Sequence, residues 1–124
     1  MSRGFGRRIG PFVRTELQEA QRARVRSQPE REFRHLERAH VIGQASTYWH
    51  VRVHWEMLLW GVRNHSLREV VGQIPRIIAA AMKTAIGWVP EGNTGGSYVS
   101  PFRPMPIDPE LAKIIRDNKP PPSG

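Results

Sequence analysis

The chain has 124 residues, 39 % of them hydrophobic, and contains no cysteine. That length suits one domain with a modest core, and the lack of cysteine excludes disulfides and thiolate metal sites, so any metal would need imidazole or carboxylate ligands. The formal net charge is +8, from 19 basic and 11 acidic residues, and such an excess attracts nucleic acid, anionic lipid or acidic protein.

The first two predicted helices follow a glycine- and arginine-rich start. The composition of residues 1–10 predicts a flexible basic arm. Pro11 suits the first turn of a helix, because proline lacks the N–H that a first turn leaves unbonded. A second helix is predicted from about Pro29 to Ile42, with Gly43 as its stop.

The third and fourth helices carry most of the large apolar side chains. Ser46 or Thr47 caps a third helix that reaches about Arg63. This helix is apolar nearly all round, which predicts a position in the middle of a bundle. A long fourth helix extends to about Gly87, and Pro75 inside it predicts a kink or a break.

The C-terminal part is rich in proline. Residues 88–107 cannot form regular structure, but their apolar side chains predict an ordered strap across the helices. A short last helix is predicted from Asp108 to about Asp117, and 118–124 is predicted to be a disordered tail. Residues 11–117 are therefore predicted to form one all-α domain of four main helices, arranged as two packed antiparallel hairpins that are either bundle-like or tetratricopeptide-like.

Membrane insertion is not indicated by the sequence. The longest apolar stretch, from Val70 to Pro90, is interrupted by Gln73, Arg76 and Lys83. A spanning helix needs about 20 predominantly apolar residues, and the N-terminus lacks the apolar region of a secretory signal. We expect a cytoplasmic protein that does not enter a membrane.

Four of the five histidines lie within residues 33–58. His50 and His54 are one helical turn apart and share a face, and an antiparallel turn sets His40 level with His50. Glu37 precedes His40 with the Glu-x-x-His spacing that helical bundles use to present metal ligands. These four side chains could bind one ion of the Zn, Cu, Ni or Fe type, or they could be core residues that hydrogen-bond across the hairpin.

Two further histidines and one glycine-rich segment are given simpler interpretations. His35 is predicted to face solvent because it points away from the apolar side of its helix, and His65 is predicted to be exposed in a turn. The segment GNTGG at 92–96 could offer backbone amides to an anion, but a plain turn is the favoured interpretation.

Nucleic-acid binding and catalysis receive little support. Phosphate or acidic-partner contacts would come from the N-terminal arginines Arg3, Arg7, Arg8 and Arg14. Glutamates are interleaved with the arginines of the first two helices, a pattern typical of a salt-bridged, solvated surface. No nucleic-acid-binding motif is readable. No nucleophile stands in a recognisable catalytic setting, so we predict that the protein is not an enzyme.

Three separated segments carry a family resemblance. The stretches HLERAHVIGQAS, WHVRVHWEMLLW and GNTGGSYVSPFRPMPI resemble a bacterial family known as domain of unknown function 3703. The resemblance extends from about Phe12 to Ile114 and implies a small helical protein with no assigned activity and no assigned functional residues.

The leading functional prediction is a non-catalytic helical interaction module with an unknown protein partner. An exposed apolar face on the second or fourth helix would also allow a homodimer. Two alternatives stay open at this point. The first is a transition-metal-binding or buffering protein of the Zn, Cu, Ni and Cd class, and the second, less favoured, is non-specific binding of nucleic acid through the arginine-rich N-terminal region.

Overall fold

The computed structural model describes residues 3–86, 95–97 and 104–119, and these ranges contain five helices and no strand. The helices are α1 (Arg3–Val25), α2 (Pro29–Gly43), α3 (Thr47–Arg63), α4 (Leu67–Ile86) and α5 (Pro109–Asn118). The predicted all-α class is confirmed. Most of the predicted strap and residues 120–124 of the predicted tail lie outside the described residues.

The start of the chain corrects one prediction. Residues 1–10 were predicted to be a flexible arm, but α1 begins at Arg3. Phe5, Ile9 and Val13 follow one another at four-residue spacing, and all three are fully buried in the core. Burying a large apolar side chain contributes about 1.5–3 kcal/mol, which outweighs the helix penalty of about 1 kcal/mol for each glycine nearby.

The N-terminal part of α1 is tied to other helices by hydrogen bonds. The Trp49 indole Nε1 donates to the Gly6 carbonyl oxygen at 2.9 Å, and Arg8 Nε donates to the Asn118 carbonyl oxygen at 2.6 Å. Pro11, predicted to open the helix, lies inside it and is exposed. The glycine-rich composition therefore reflects close approach to α3 and not mobility.

The helices pack as two hairpins that share a core. Helix α1 packs against α2, and α3 packs against α4. The two hairpins meet where α2 packs on α3, and α5 lies against α1 and α2. Pro29 opens α2 as predicted. The core consists mainly of apolar side chains from the first three helices: Phe5, Ile9, Val13, Ala20, Phe33, Leu36, Ala39, Ile42, Trp49, Val53 and Met57.

Gly43 is the last residue of α2, so the helix ends where the sequence predicted its stop. The residue does not have the positive φ of a left-handed glycine cap, since among the described glycines only Gly95 has a positive φ. A Cβ atom on Gly43 would lie 2.9 Å from the Trp49 Cβ and 3.3 Å from the Val13 Cγ2. Glycine is needed here because α1, α2 and α3 meet closely, which brings the histidines of α2 and α3 within reach of each other.

Helix α3 is less buried than its composition predicted. Ser46 caps it, and its Oγ accepts a hydrogen bond from the Trp49 backbone N–H at 3.5 Å. The helix lies between α2 and α4, but Tyr48, Trp55 and Val62, spaced seven residues apart, are about half exposed. The predicted position among other helices therefore holds for two sides of α3, and the third face is exposed because no helix within the described ranges covers it.

Helix α4 runs unbroken through Pro75, whose side chain is exposed. The break that the sequence analysis gave as one outcome at Pro75 does not occur, since the proline ring lies on the solvent side and costs the helix one backbone hydrogen bond. None of the helices in the described part of the chain has the length and apolarity that crossing a bilayer requires.

His35 is not solvent-facing as predicted. It is half-buried, and its Nδ1 lies 2.8 Å from Glu16 Oε1, while Arg38 Nε donates to Glu16 Oε2 at 3.1 Å. Burial opposes the charge on Arg38, but the Glu16 carboxylate outweighs it and raises the pKa of that guanidinium. The contact arises between α1 and α2. His65 lies exposed in its turn, as predicted.

Candidate metal centre

Three of the four predicted ligands converge. His40 on α2 and His54 on α3 are each 2 % exposed, and His50 on α3 is half-buried. The three ring centroids are 4.6–4.8 Å apart. One ring nitrogen from each residue can be chosen so that all three nitrogens lie within 4.8 Å of one another. The arrangement is a compact group of imidazole donors, open to solvent at His50.

Helix geometry accounts for this convergence. His50 and His54 are one turn apart and therefore project from the same side of α3. The short connection between α2 and α3 sets His40 opposite them, and the missing side chain at Gly43 lets the two helices approach. Among the described residues, the group does not include Glu37, which is half-buried on α2 one turn before His40.

The closest pair of nitrogens has a spacing that suits a shared ion. The Nε2 atoms of His40 and His54 are 3.1 Å apart. Two nitrogens bound at about 2.0 Å to a tetrahedral zinc ion lie about 3.3 Å from each other. Small rotations of the rings would therefore admit an ion between these two nitrogens, with His50 as a third donor.

The outer nitrogen of His54 is held by a glutamine of α4. His54 Nδ1 lies 2.6 Å from Gln73 Oε1. The Gln73 amide nitrogen donates to Glu69 Oε2 and to the Gly95 carbonyl oxygen, each at 2.9 Å. Gln73 is fully buried, so these three bonds satisfy its amide without water.

The hydrogen bonds of Gln73 determine the proton positions on the rings. Because its nitrogen faces two acceptors, its oxygen must face His54, and His54 Nδ1 must carry the proton. The Nε2 of a neutral His54 then carries a lone pair that is directed at His40. In the absence of an ion this lone pair accepts a hydrogen bond from His40 Nε2–H, so His54 is already in the tautomer that binds a metal through Nε2.

A second layer of contacts fixes Gln73 in turn. The Glu69 Oε1 atom accepts from the Ser97 backbone N–H at 3.0 Å and from the Ser97 hydroxyl at 2.8 Å. Burial lowers the pKa of Arg76, and the nearby Glu69 carboxylate opposes this shift. Histidine ligands of metals usually donate their other N–H to such an ordered acceptor, which sets the ring orientation and raises ligand basicity.

Gly95 lies directly on the His40 ring. Its φ is +85°, and a Cβ atom there would be 2.6 Å from the His40 Cδ2. Both the conformation and the lack of space require glycine. Of the GNTGG segment, only Gly95 and Gly96 are among the described residues, and both are buried. This part of the predicted strap therefore covers the histidine group from one side.

Four residues that support the histidines were not predicted from the sequence. Gln73, Glu69, Gly95 and Ser97 were not assigned to the site. One pattern could have indicated the first two, because Glu69 and Gln73 are four residues apart on a helix that is otherwise largely apolar. Such a polar pair on one face suggests a buried network. Gly95 and Ser97 are distant in sequence, and only the fold reveals their contacts.

The N-terminal arginines were predicted to contact nucleic acid or an acidic partner. Of these, Arg7, Arg8 and Arg14 are exposed. Arg8 donates to the Asn118 carbonyl oxygen, and the Arg14 guanidinium lies 5.5 Å from the centre of the Trp49 ring, within the range of a cation–π contact. Two of these arginines thus have intramolecular partners, and the side chain of Arg3 lies outside the described part of the chain.

Comparison with known proteins gives one match. A family model described as a protein of unknown function (DUF3703) matches residues 7–115, a span that includes all three clustered histidines and the residues that contact them. A search of curated proteins and a search of solved structures each returned no match.

Proposed function

This chain belongs to the DUF3703 family of proteins of unknown function, and we propose that it is a non-catalytic protein that binds or buffers one transition-metal ion. The ligands are His40, His50 and His54. The ion belongs to the Zn, Cu and Ni class, because imidazole nitrogen suits these metals whereas Mg and Ca prefer oxygen. The chain has no cysteine, so no thiolate competes for softer ions.

The observation that carries this proposal is the grouping of three rings, two of them almost fully buried. A hydrogen bond between two helices needs only one histidine and one acceptor. Three imidazoles in mutual contact repel one another whenever more than one is protonated. An ion that binds all three removes that repulsion and uses every ring, which supports a binding role over a purely structural one.

The contacts of His54 add support from the surrounding residues. The bond to Gln73 Oε1 fixes the protonated Nδ1 and leaves Nε2 for a metal. Binding through His40 Nε2 requires the proton on that atom to move to Nδ1, so that His40 stays a neutral imidazole. Only neutral imidazoles bind a metal, so protonation of these rings competes with the ion and binding weakens as the pH falls.

Three nitrogen ligands leave room for a fourth ligand on a tetrahedral ion. His50 is only half-buried, which supports a fourth ligand on the side that solvent reaches. Water or a donor from a partner molecule would complete the coordination. A closed four-ligand site suits a structural ion, whereas an open position lets the bound ion exchange its fourth ligand.

The test is the metal content of untagged protein after exposure to Zn, Cu, Ni or Cd and desalting. We expect about one ion per chain, as one group of three nitrogens can hold one ion. The double variant His50→Ala, His54→Ala should lose it. The matched control His35→Gln, His65→Ala also removes two histidines, both outside the group, and should retain the ion.

Far-UV circular dichroism of each variant separates loss of ligands from loss of fold. The single variant His50→Ala provides a milder test, since this residue is only half-buried and its removal leaves the His40–His54 contact in place. The proposal is wrong if the wild-type protein retains no metal, or if the control loses as much metal as the His50, His54 double variant while both stay folded.

A further inference from the structure

Helix α4 presents its polar side to the protein interior and its most apolar side to solvent. Glu69 and Gln73 are 6 % and 0 % exposed. On the opposite side, five large apolar residues are 49–75 % exposed. We name them the α4 stripe: Leu67, Val71, Ile74, Ile78 and Met82. A surface helix of a monomer normally shows the reverse arrangement.

The stripe has the spacing of a helix–helix seam. Its members follow one another at intervals of four, three, four and four residues. Apolar residues that alternate between three and four apart form the narrow seam along which two helices pack lengthwise. β-Branched residues occupy three of the five positions, and such side chains are common at the contact positions of paired helices.

The stripe also lacks charge. Between Val70 and Met82 the only charged residue is Arg76. Its side chain lies on the inner side of the helix and donates to the Gly72 carbonyl oxygen at 2.7 Å. A partner surface for the stripe must therefore be apolar and uncharged over about three helical turns.

No described helix except α3 packs on α4. The exposed parts of the five stripe side chains amount to on the order of 500 Å², near the upper end for the largest apolar patch of a monomer. A standard interface buries about 800 Å² per partner. The exposed Pro75 and Ala79 and the half-buried Val70 and Ile77 flank the stripe and supply further area.

We propose that the α4 stripe binds the same stripe of a second copy of this chain. A second copy offers what the stripe requires, an uncharged apolar seam of equal length. Ten of the sixteen arginines lie within the first 38 residues, and within the described ranges α1 and α2 do not contact α4. Pairing through α4 therefore keeps the most basic parts of the two copies apart.

The distribution of charge also favours a protein partner over a membrane. A helix that lies on an anionic bilayer carries basic residues beside its apolar face. The basic residues of this chain are concentrated on the helices that lie away from α4, and Arg68 is the one exposed basic residue between Leu67 and Met82.

The first test is the molar mass of the full chain by light scattering or sedimentation at about 10–200 µM. We expect a mass about twice the 14.2 kDa of the chain. The variant Ile74→Glu, Ile78→Glu should be monomeric with unchanged helix content. The control Val25→Glu changes an even more exposed apolar residue outside α4 and should stay dimeric.

Cross-linking gives a second, independent readout, because the chain contains no cysteine. Ile74 lies near the middle of the stripe, so Ile74→Cys should form a disulfide-linked dimer on mild oxidation, whereas Val25→Cys should not. Wild-type protein that is monomeric at 200 µM, or a dimer that survives Ile74→Glu, Ile78→Glu, would overturn the proposal. So would a monomer that floats with anionic phospholipid vesicles, since a membrane would then cover the stripe.

Discussion

Gln73 offers the sharpest test of the buried network, through the substitution Gln73→Leu. Leucine has a similar size and preserves the helix, so the change removes hydrogen bonds without leaving a large cavity. Three bonds are lost: the one accepted from His54 Nδ1 at 2.6 Å and the two donated to Glu69 and Gly95 at 2.9 Å. The atoms that bonded to Gln73 stay buried in the variant, because this position is 0 % exposed and water does not reach it.

The expected loss of stability follows from the groups left behind. A buried polar group without a partner costs about 1–3 kcal/mol. Glu69 keeps its two bonds from Ser97, so the main penalties fall on the His54 N–H and the Gly95 carbonyl. We expect a loss of about 2–4 kcal/mol, which for a chain of this size lowers the melting temperature by on the order of 10 °C.

The assay is thermal and urea denaturation of the metal-free protein, followed by metal titration of the folded variant. The control Gln18→Leu makes the same chemical change at an exposed position of α1 and should alter stability by less than about 0.5 kcal/mol. Loss of the group that orients His54 should also weaken metal binding by about 10–100-fold. If Gln73→Leu melts within about 2 °C of both the wild type and the control, the described network does not stabilise the fold.

Two further predictions concern packing and pH. Gly43→Ala should destabilise the protein by about 1–2 kcal/mol in urea denaturation, because the new Cβ would lie 2.9 Å from the Trp49 Cβ; a gain in stability would show that helix propensity dominates. The hydrogen bond from Lys113 lowers the pKa of Asp117 below its usual value of 3.8. The stabilisation from this pair is thus present above about pH 3.9 and is lost as the pH falls through the lower, folded-state pKa. In an NMR titration, Lys113→Ala should raise the Asp117 pKa towards 3.8, and an unchanged value would show that the bond does not form.

The all-α class and the two hairpins could be predicted because they depend on local patterns. Apolar side chains at helical spacing, prolines at helix starts and a serine cap set the limits of α2, α3 and α5 to within about one residue. The same logic failed for residues 1–10. The high glycine content of these residues led to the prediction of a flexible arm. The helical spacing of Phe5 and Ile9 did not prevent this, because their burial depends on α2 and α3 and cannot be inferred from the local sequence.

The candidate site was predictable in part for the same reason. Helical periodicity and one short connection suffice to bring His40, His50 and His54 together, because all three lie within fifteen residues. Glu37 was expected among them, but within the described part of the chain the group of converging ligand atoms does not include it. Counting residues along a helix cannot resolve a difference of a few ångströms between the positions of side chains on neighbouring turns.

The sequence by itself determined the helices, the meeting of the histidines and the apolar character of α4. Only the tertiary structure decided which side of α4 faces inwards. Gln73 and Glu69 are buried because His54, Gly95 and Ser97 satisfy their hydrogen bonds, and this network turns the α4 stripe towards solvent. Hydrophobic periodicity favours the opposite orientation, and it is overridden because a buried polar group is tolerated where distant parts of the chain supply its partners.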